Sequence, residues 1–363
     1  ANEFRRAEQP YNRVVGDEAG RVRALAIEGG GVRGILPTRV LTALETLTGR
    51  PICRLFDVIV GTSTGGMLAL GLASANESGA PAYSADHVAD IYKRRGEEIF
   101  PRSQVGIPRS LQDARGLWTS AGARAAVFGF NPELGNARYS PEGIEKALFE
   151  YFGERRLADA LVDVVVTSYD FQTKEPVLFR SRVGREDPLR NPLMRDVARA
   201  TSAAPTYFPP LQLAFGNRED RVLVDGGIYA NNPTMIAYAE GAARAEERGL
   251  TAADVTVVFL GTGKPERKEP ITFREFTGRS WLRLAEDIFR AAEDGQSGLN
   301  DALLRQLVGD NYWSFQIPLR EGVSYLMDDV SHENIEALTH LGDELVGERL
   351  AELNRLAASL IAD

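Results

Sequence analysis

The chain has 363 residues, 44% of them hydrophobic and 26% charged, and a formal net charge of −9. This length fits one large α/β domain or two smaller ones. The acidic balance argues against nucleic acid as a substrate and against anchoring to anionic membranes by charge alone. A single cysteine, Cys53, leaves no intrachain disulfide to form and reads as a buried small hydrophobe.

In chain order, residues 1–21 read as a polar N-terminal arm without the apolar centre of a signal peptide. No later run approaches the length of a membrane-spanning helix, so a cytoplasmic location is expected. The stretch "VRALAIEGGG" predicts a strand and a glycine turn, and 35–48 a helix with Pro37 in its first turn. A strand over 56–60, a turn and a helix over 65–73 follow, then a helix over 85–95. Residues 97–138 are irregular, with Phe100, Trp118, Phe128 and Phe130 scattered among prolines and glycines. Such a segment is either a surface excursion or a mouth or lid.

A helix is predicted from Ser140 as N-cap with Pro141 at its first position. "DVVVTSYDFQ" and "PVLFRS" predict neighbouring strands, 192–203 a helix, and "RVLVDGGIYANNP" a strand entering a Gly/Asn turn before a helix over 233–248. "DVTVVFLGTG" is a further buried strand, helices are expected over 281–292 and 299–308, and one long helix closes the chain with Ser331 as its N-cap. Apolar strands alternating with helices predict an α/β fold with a mostly parallel sheet covered on both faces. One domain over 22–363 is expected, with a catalytic core over about 22–240 and a C-terminal strand and helical layer over about 241–363.

The strongest chemical signal is Gly61-Thr62-Ser63-Thr64-Gly65, a Gly-x-Ser-x-Gly between strand and helix. A sharp turn there lifts a serine hydroxyl out of the sheet at a helix N-terminus, where developing negative charge is favoured. The alternative is a serine-rich turn capping the helix through Ser63 or Thr62. A nucleophilic serine needs a base. His87, His332 and His340 all read as surface or helix-end residues. Asp225, which ends a strand before Gly226 and Gly227, can accept the proton directly, provided that its surroundings raise its pKa from the usual 3.9 or so. It also reads as a plain turn-forming Asp-Gly.

The glycine loop fits Gly-x-Gly-x-x-Gly at Gly29, Gly31 and Gly34. Its N–H groups can face a pyrophosphate or the oxyanion of an acyl transfer, and Arg33 can add charge or lock it. A dinucleotide site would want an acid about 20 residues on, at the end of the second strand. Glu45 instead falls mid-helix and Asp57 at a strand start, which disfavours an oxidoreductase.

Together "EGGGVRG" at 28–34, "GTSTG" at 61–65 and "DGG" at 225–227 resemble the patatin-like phospholipase family. "RATSAAPTYFPP", "YSPEGIEKAL", "VVFLGTG" and "MDDVSHENIEALTHLG" extend the likeness over most of the chain from about residue 22. The resemblance implies a three-layer α/β/α fold and a Ser–Asp dyad, with Ser63 as nucleophile and Asp225 as general base. It implies an oxyanion hole from the loop Gly29, Gly30, Gly31, Val32, Arg33 and Gly34, mainly Gly30 and Gly31, with Gly61, Gly65, Gly226 and Gly227 shaping the turns. Calcium-independent release of fatty acid from phospholipid, lysophospholipid or neutral glyceride follows, through an acyl-serine, without metal or cofactor and with transient membrane-surface contact. Glu28 stands where many relatives have Asp, at a position that shapes the loop. Self-association into a homo-oligomer is compatible with the sequence. The alternatives are a lipid-binding or storage protein with weak esterase activity, and a membrane-degrading effector switched on by a signalling nucleotide.

Overall fold

A computed structural model of the chain describes residues 20–101, 137–265 and 281–362. The start of the N-terminal arm and most of the irregular 97–138 segment, Trp118, Phe128 and Phe130 included, lie outside the described residues. Phe100 does not: it is buried against Tyr139 and Phe208, with ring centroids 5.3 and 5.6 Å away.

The first strand, β1 (Val22–Ile27), is buried along its whole length. Its side chains alternate between two cores, as a strand covered on both faces requires. Leu25 and Ile27 join one core, while Val22, Ala24 and Ala26 join the other. The first core lies under α1 (Ile35–Thr48), α2 (Thr64–Ala73), α3 (Ala85–Ile99), α4 (Glu142–Phe152) and the last two helices. Complete burial of a Leu or Ile side chain there contributes about 1.5–3 kcal/mol. Helix α2 is buried on every side, which matches its uniformly apolar sequence.

An eight-stranded sheet organises the fold. β1 pairs in parallel with β2 (Val58–Gly61) on one side and with β7 (Val255–Leu260) on the other. β9 (Tyr312–Phe315) lies parallel beside β7. β3 (Asp163–Asp170) lies parallel beside β2 and forms an antiparallel pair with β4 (Glu175–Arg180). Between β4 and β5 (Leu211–Phe215) run α5 (Ser181–Glu186) and α6 (Met194–Thr201). β5 then pairs antiparallel with β6 (Arg218–Asp225). The fold is therefore α/β with a mixed, mostly parallel sheet, as the alternation of apolar strands and helices predicts.

One detail of register positions the site. β4 runs along β3 from Val165 to Asp170. β2 pairs with Asp163–Val166 and β6 with Ser168–Asp170. Because β4 already occupies one edge of β3, β2 and β6 must share the other and meet end to end. Gly61 ends β2 opposite Val166, and Asp225 ends β6 opposite Ser168. Residues 63 and 225, which are far apart in sequence, leave their strands into the same space.

After β6 come α7 (Gly227–Ala230), α8 (Thr234–Glu247) and, past β7, α9 (Trp281–Val308). The short pair β8 (Lys264–Pro265) and β10 (Pro318–Leu319) is separate from the main sheet. The chain ends in α10 (His332–Glu348) and α11 (Leu350–Ile361). Three local expectations are corrected and one holds. The two helices expected over 281–292 and 299–308 are one continuous α9, since Gly295 and Gly298 fit within it. The single closing helix is two, broken at Arg349 (φ −108°, ψ 15°), whose guanidinium reaches the Ser314 carbonyl and Glu352. Ser331 is the N-cap of α10 as expected, with its hydroxyl donating to Asp329 Oδ1. Pro141, not Ser140, occupies the N-cap of α4, while Ser140 Oγ accepts from Glu142 N–H at 3.4 Å.

Candidate active site

Ser63 stands between β2 and α2, at the N-cap of that helix. Its backbone has φ 54° and ψ −124°, which costs a non-glycine residue about 1–3 kcal/mol. Three bonds hold it: Ser63 N–H donates to Thr201 Oγ1 (2.8 Å), Thr62 N–H to Ile27 O (3.3 Å), and Met67 N–H to Ser63 O (3.1 Å). A methyl group on Gly65 would fall 2.2 Å from Ile27 O, so only glycine lets α2 start so close to β1. The two threonines of the motif are anchors. Thr62 Oγ1 donates to Ala230 O (2.6 Å) and accepts from Thr167 Oγ1 (2.7 Å), and Thr64 Oγ1 accepts from Tyr92 OH (2.7 Å).

Asp225 is 4% exposed, and the Ser63 side chain lies near enough to its carboxyl to pull its pKa down. Gly227 N–H donates to its Oδ1 at 2.8 Å, and its own N–H donates to Ala203 O at 3.0 Å. Burial pushes the carboxyl from 3.8 up to about 7, against the opposing pull of the Ser63 side chain and the Gly227 N–H. This is the desolvated setting that a carboxylate needs to serve as a base near neutrality.

The glycine loop lies against the same serine. A Cβ on Gly29 would sit 3.2 Å from Ser63 Cβ. Gly29 N–H donates to Asn231 O (3.1 Å), Val32 N–H to Met327 O (2.9 Å) and Arg33 N–H to Gly30 O (3.3 Å). The N–H groups of Gly30 and Gly31 donate to nothing among the described residues. Of the six residues proposed for the loop, these two carry its unengaged donors. Gly31 has φ 58°, and a Cβ there would meet Met327 O at 2.2 Å, so the stretch before α10 clamps the loop. Arg33 acts as a lock: its guanidinium donates to Gly30 O and Gly263 O, each at 3.3 Å.

Beneath the loop, buried Glu28 accepts from Thr262 N–H (3.0 Å) and Gln316 Nε2 (2.9 Å), tying the ends of β1, β7 and β9 together. Burial raises its pKa. Half-buried Glu293 on α9 went unnoticed in the sequence. Burial lifts it to about 7, Arg33 pulls it down, and Asp225 and Glu28 push it up. Thr201 and Tyr92 were also not singled out. Thr201 lies within "RATSAAPTYFPP", but its role as acceptor for Ser63 is a matter of tertiary packing.

The other candidates lie elsewhere. His332 and His340 are 80% and 78% exposed and sit beside Glu336 and Glu344, one turn on. His87 is exposed beside Tyr83. Glu45 accepts from Ile52 and Ala85 N–H, and Asp57 holds Arg23 N–H and the Arg248 guanidinium. Neither offers itself to a ribose. Cys53 is buried, and burial raises its thiol to about 11.

Among the described residues, no helix is long and apolar enough to cross a membrane. Comparison with known proteins then adds independent information. The patatin-like phospholipase family model matches residues 25–238, which include Ser63, Asp225 and the glycine loop. Patatin-like protein 1 of Oryza sativa subsp. indica is 31% identical over 94% of this chain and 86% of its own length. Patatin-07 of Solanum tuberosum is 28% identical over 92% of this chain and 86% of its own length. Among solved structures, VipD from Legionella pneumophila covers 91% of this chain and 67% of its own at 13% identity, with a TM-score of only 0.35. With the family model matching residues 25–238 and the plant relatives following nearly the whole chain, the protein belongs to the patatin-like phospholipase family.

Proposed function

We propose that the protein is a calcium-independent lipid acyl hydrolase that releases fatty acid from phospholipids or lysophospholipids through an acyl-serine. The observation that carries this reading is that the strand ends bring Ser63, on its strained turn, to the buried Asp225, whose carboxyl is poised near pH 7. Asp225 takes the Ser63 proton as Oγ attacks the ester carbonyl. Gly30 and Gly31 N–H hold the oxyanion, aided by the positive end of α2. Asp225 then protonates the leaving alcohol, and water repeats the cycle on the acyl-enzyme.

An ionised Asp225 is the working form, so kcat/KM rises with pH to a plateau above about 7. The match to the phospholipase family supports the substrate class. Transient contact with a membrane surface goes with it. The test is mass spectrometry of products from mixed phospholipids: wild type releases fatty acid and Ser63→Ala does not. Equal release by both would refute the reading. Binding of intact lipid without turnover would favour a storage protein.

A further inference from the structure

Helix α9 carries polar residues at 293, 296, 297 and 300, the i, i+3, i+4, i+7 spacing of one helix face. Farther along, Leu304 and Val308 pack under the sheet in the ordinary apolar way. Burying a polar stripe is unfavourable unless every group finds a partner, and the partners of this one belong to two segments of the site.

The first is the turn after Asp225. Asn232 is fully buried. Its N–H donates to Gln296 Oε1 (3.1 Å), and its carbonyl accepts from Gln296 Nε2 (2.8 Å) and Asn300 Nδ2 (3.0 Å). Its side-chain Nδ2 donates to Ser297 Oγ (3.0 Å), and its Oδ1 accepts from Thr234 N–H (3.0 Å). The second is the root of the glycine loop, where Ser297 Oγ donates to Glu28 Oε1 within 3.4 Å. Ser297 therefore bridges the turn that follows the base and the strand end that presents the oxyanion donors. The same two segments touch directly one residue away, through Gly29 N–H to Asn231 O.

We infer that Gln296, Ser297 and Asn300 are positioning residues for acyl transfer, fixing the oxyanion loop and the Asp225 turn at one separation. This rests on the acyl-hydrolase reading. None of the three touches the Ser63 hydroxyl. They act by setting where Gly30 and Gly31 N–H stand relative to the proton acceptor, and a displacement near 1 Å in such a site lowers rate by up to about a hundredfold.

The experiment uses the whole chain and a soluble short-chain ester, alongside labelling by a fluorophosphonate probe and a thermal melt. Ser297→Ala and Asn300→Leu should lower kcat and the labelling rate about ten- to a hundredfold, with KM within about twofold of wild type. Ser297→Thr, which keeps the hydroxyl, should recover most of the rate. If either buried variant unfolds, Gln296→Met at the half-buried position removes two of the bonds at similar volume and should show the same fall in kcat at unchanged KM. Wild-type kcat in folded Ser297→Ala or Gln296→Met would overturn the inference, as would rates that follow thermal stability alone or a failure of Ser297→Thr to recover. A wild-type protein inert to the probe would overturn the acyl-transfer reading itself. A labelled wild type with equally labelled variants would overturn only the positioning role.

Discussion

Replacing Asp225 by Asn tests catalysis and electrostatics together. The amide side chain can still accept from Gly227 N–H, the 2.8 Å bond that shapes the turn, but it cannot take a proton. Labelling of Ser63 by a fluorophosphonate should fall at least about a hundredfold, the usual share of a general base. Stability should move the other way. The carboxyl titrates at 3.8 unfolded and about 7 folded, so between those values the native state binds more protons. Wild-type stability therefore falls as pH rises from about 4 to about 7, then levels off. The span is equivalent to about 4 kcal/mol. The Asp225→Asn variant lacks this slope, so its advantage over wild type should be small near pH 4 and grow to as much as about 4 kcal/mol by pH 8. Urea denaturation at a series of pH values measures it. A stability difference independent of pH would refute the desolvation argument, and wild-type labelling by Asp225→Asn would refute the base.

Thr201→Val removes the acceptor of the Ser63 N–H and should cost about 1–3 kcal/mol in urea denaturation, with slower labelling. Gly31→Ala forces a Cβ to within 2.2 Å of Met327 O at φ 58°. A loss of activity of more than about tenfold is expected on a soluble ester, since the donors shift. His332→Asn and His340→Asn alter exposed helix residues, and kcat/KM should stay within about twofold; a large fall in either folded variant would point to a histidine base. Chelation by EDTA should leave fatty-acid release unchanged, because the proposed chemistry runs on Ser63, Asp225 and backbone donors; activity restored only by added calcium would contradict it.

The parallel sheet is legible in the sequence because its strands, such as "ALAI" and "VTVVFL", are almost entirely apolar and run into glycine turns. The turn at Ser63 was legible because its glycines have a steric reason. The short strand β9, "YWSF", was not, since four residues with two half-exposed give no period to detect. The resemblance points to Gly30 and Gly31 within the glycine loop, but the physical reason for that choice is not legible in the sequence. Which N–H groups remain for an oxyanion depends on Met327 and Asn231, distant residues whose carbonyls engage Val32 and Gly29. The break at Arg349 likewise follows from a reach to Ser314 on another element. Apolar periodicity carries no record of such contacts.

The end-to-end meeting of β2 and β6 on one edge of β3 has a kinetic corollary. Although its turn is completed only by Thr201, Ser63 is flanked by β1, β2 and α2, which all lie within the first 73 residues. Its acceptor arrives only when a strand running the opposite way, far later in the chain, slots into the remaining length of that edge. During refolding, the serine should thus exist first as an unreactive alcohol on an otherwise ordered scaffold. The onset of its reactivity then becomes a clock for the insertion of one particular strand, readable by timed addition of a covalent probe.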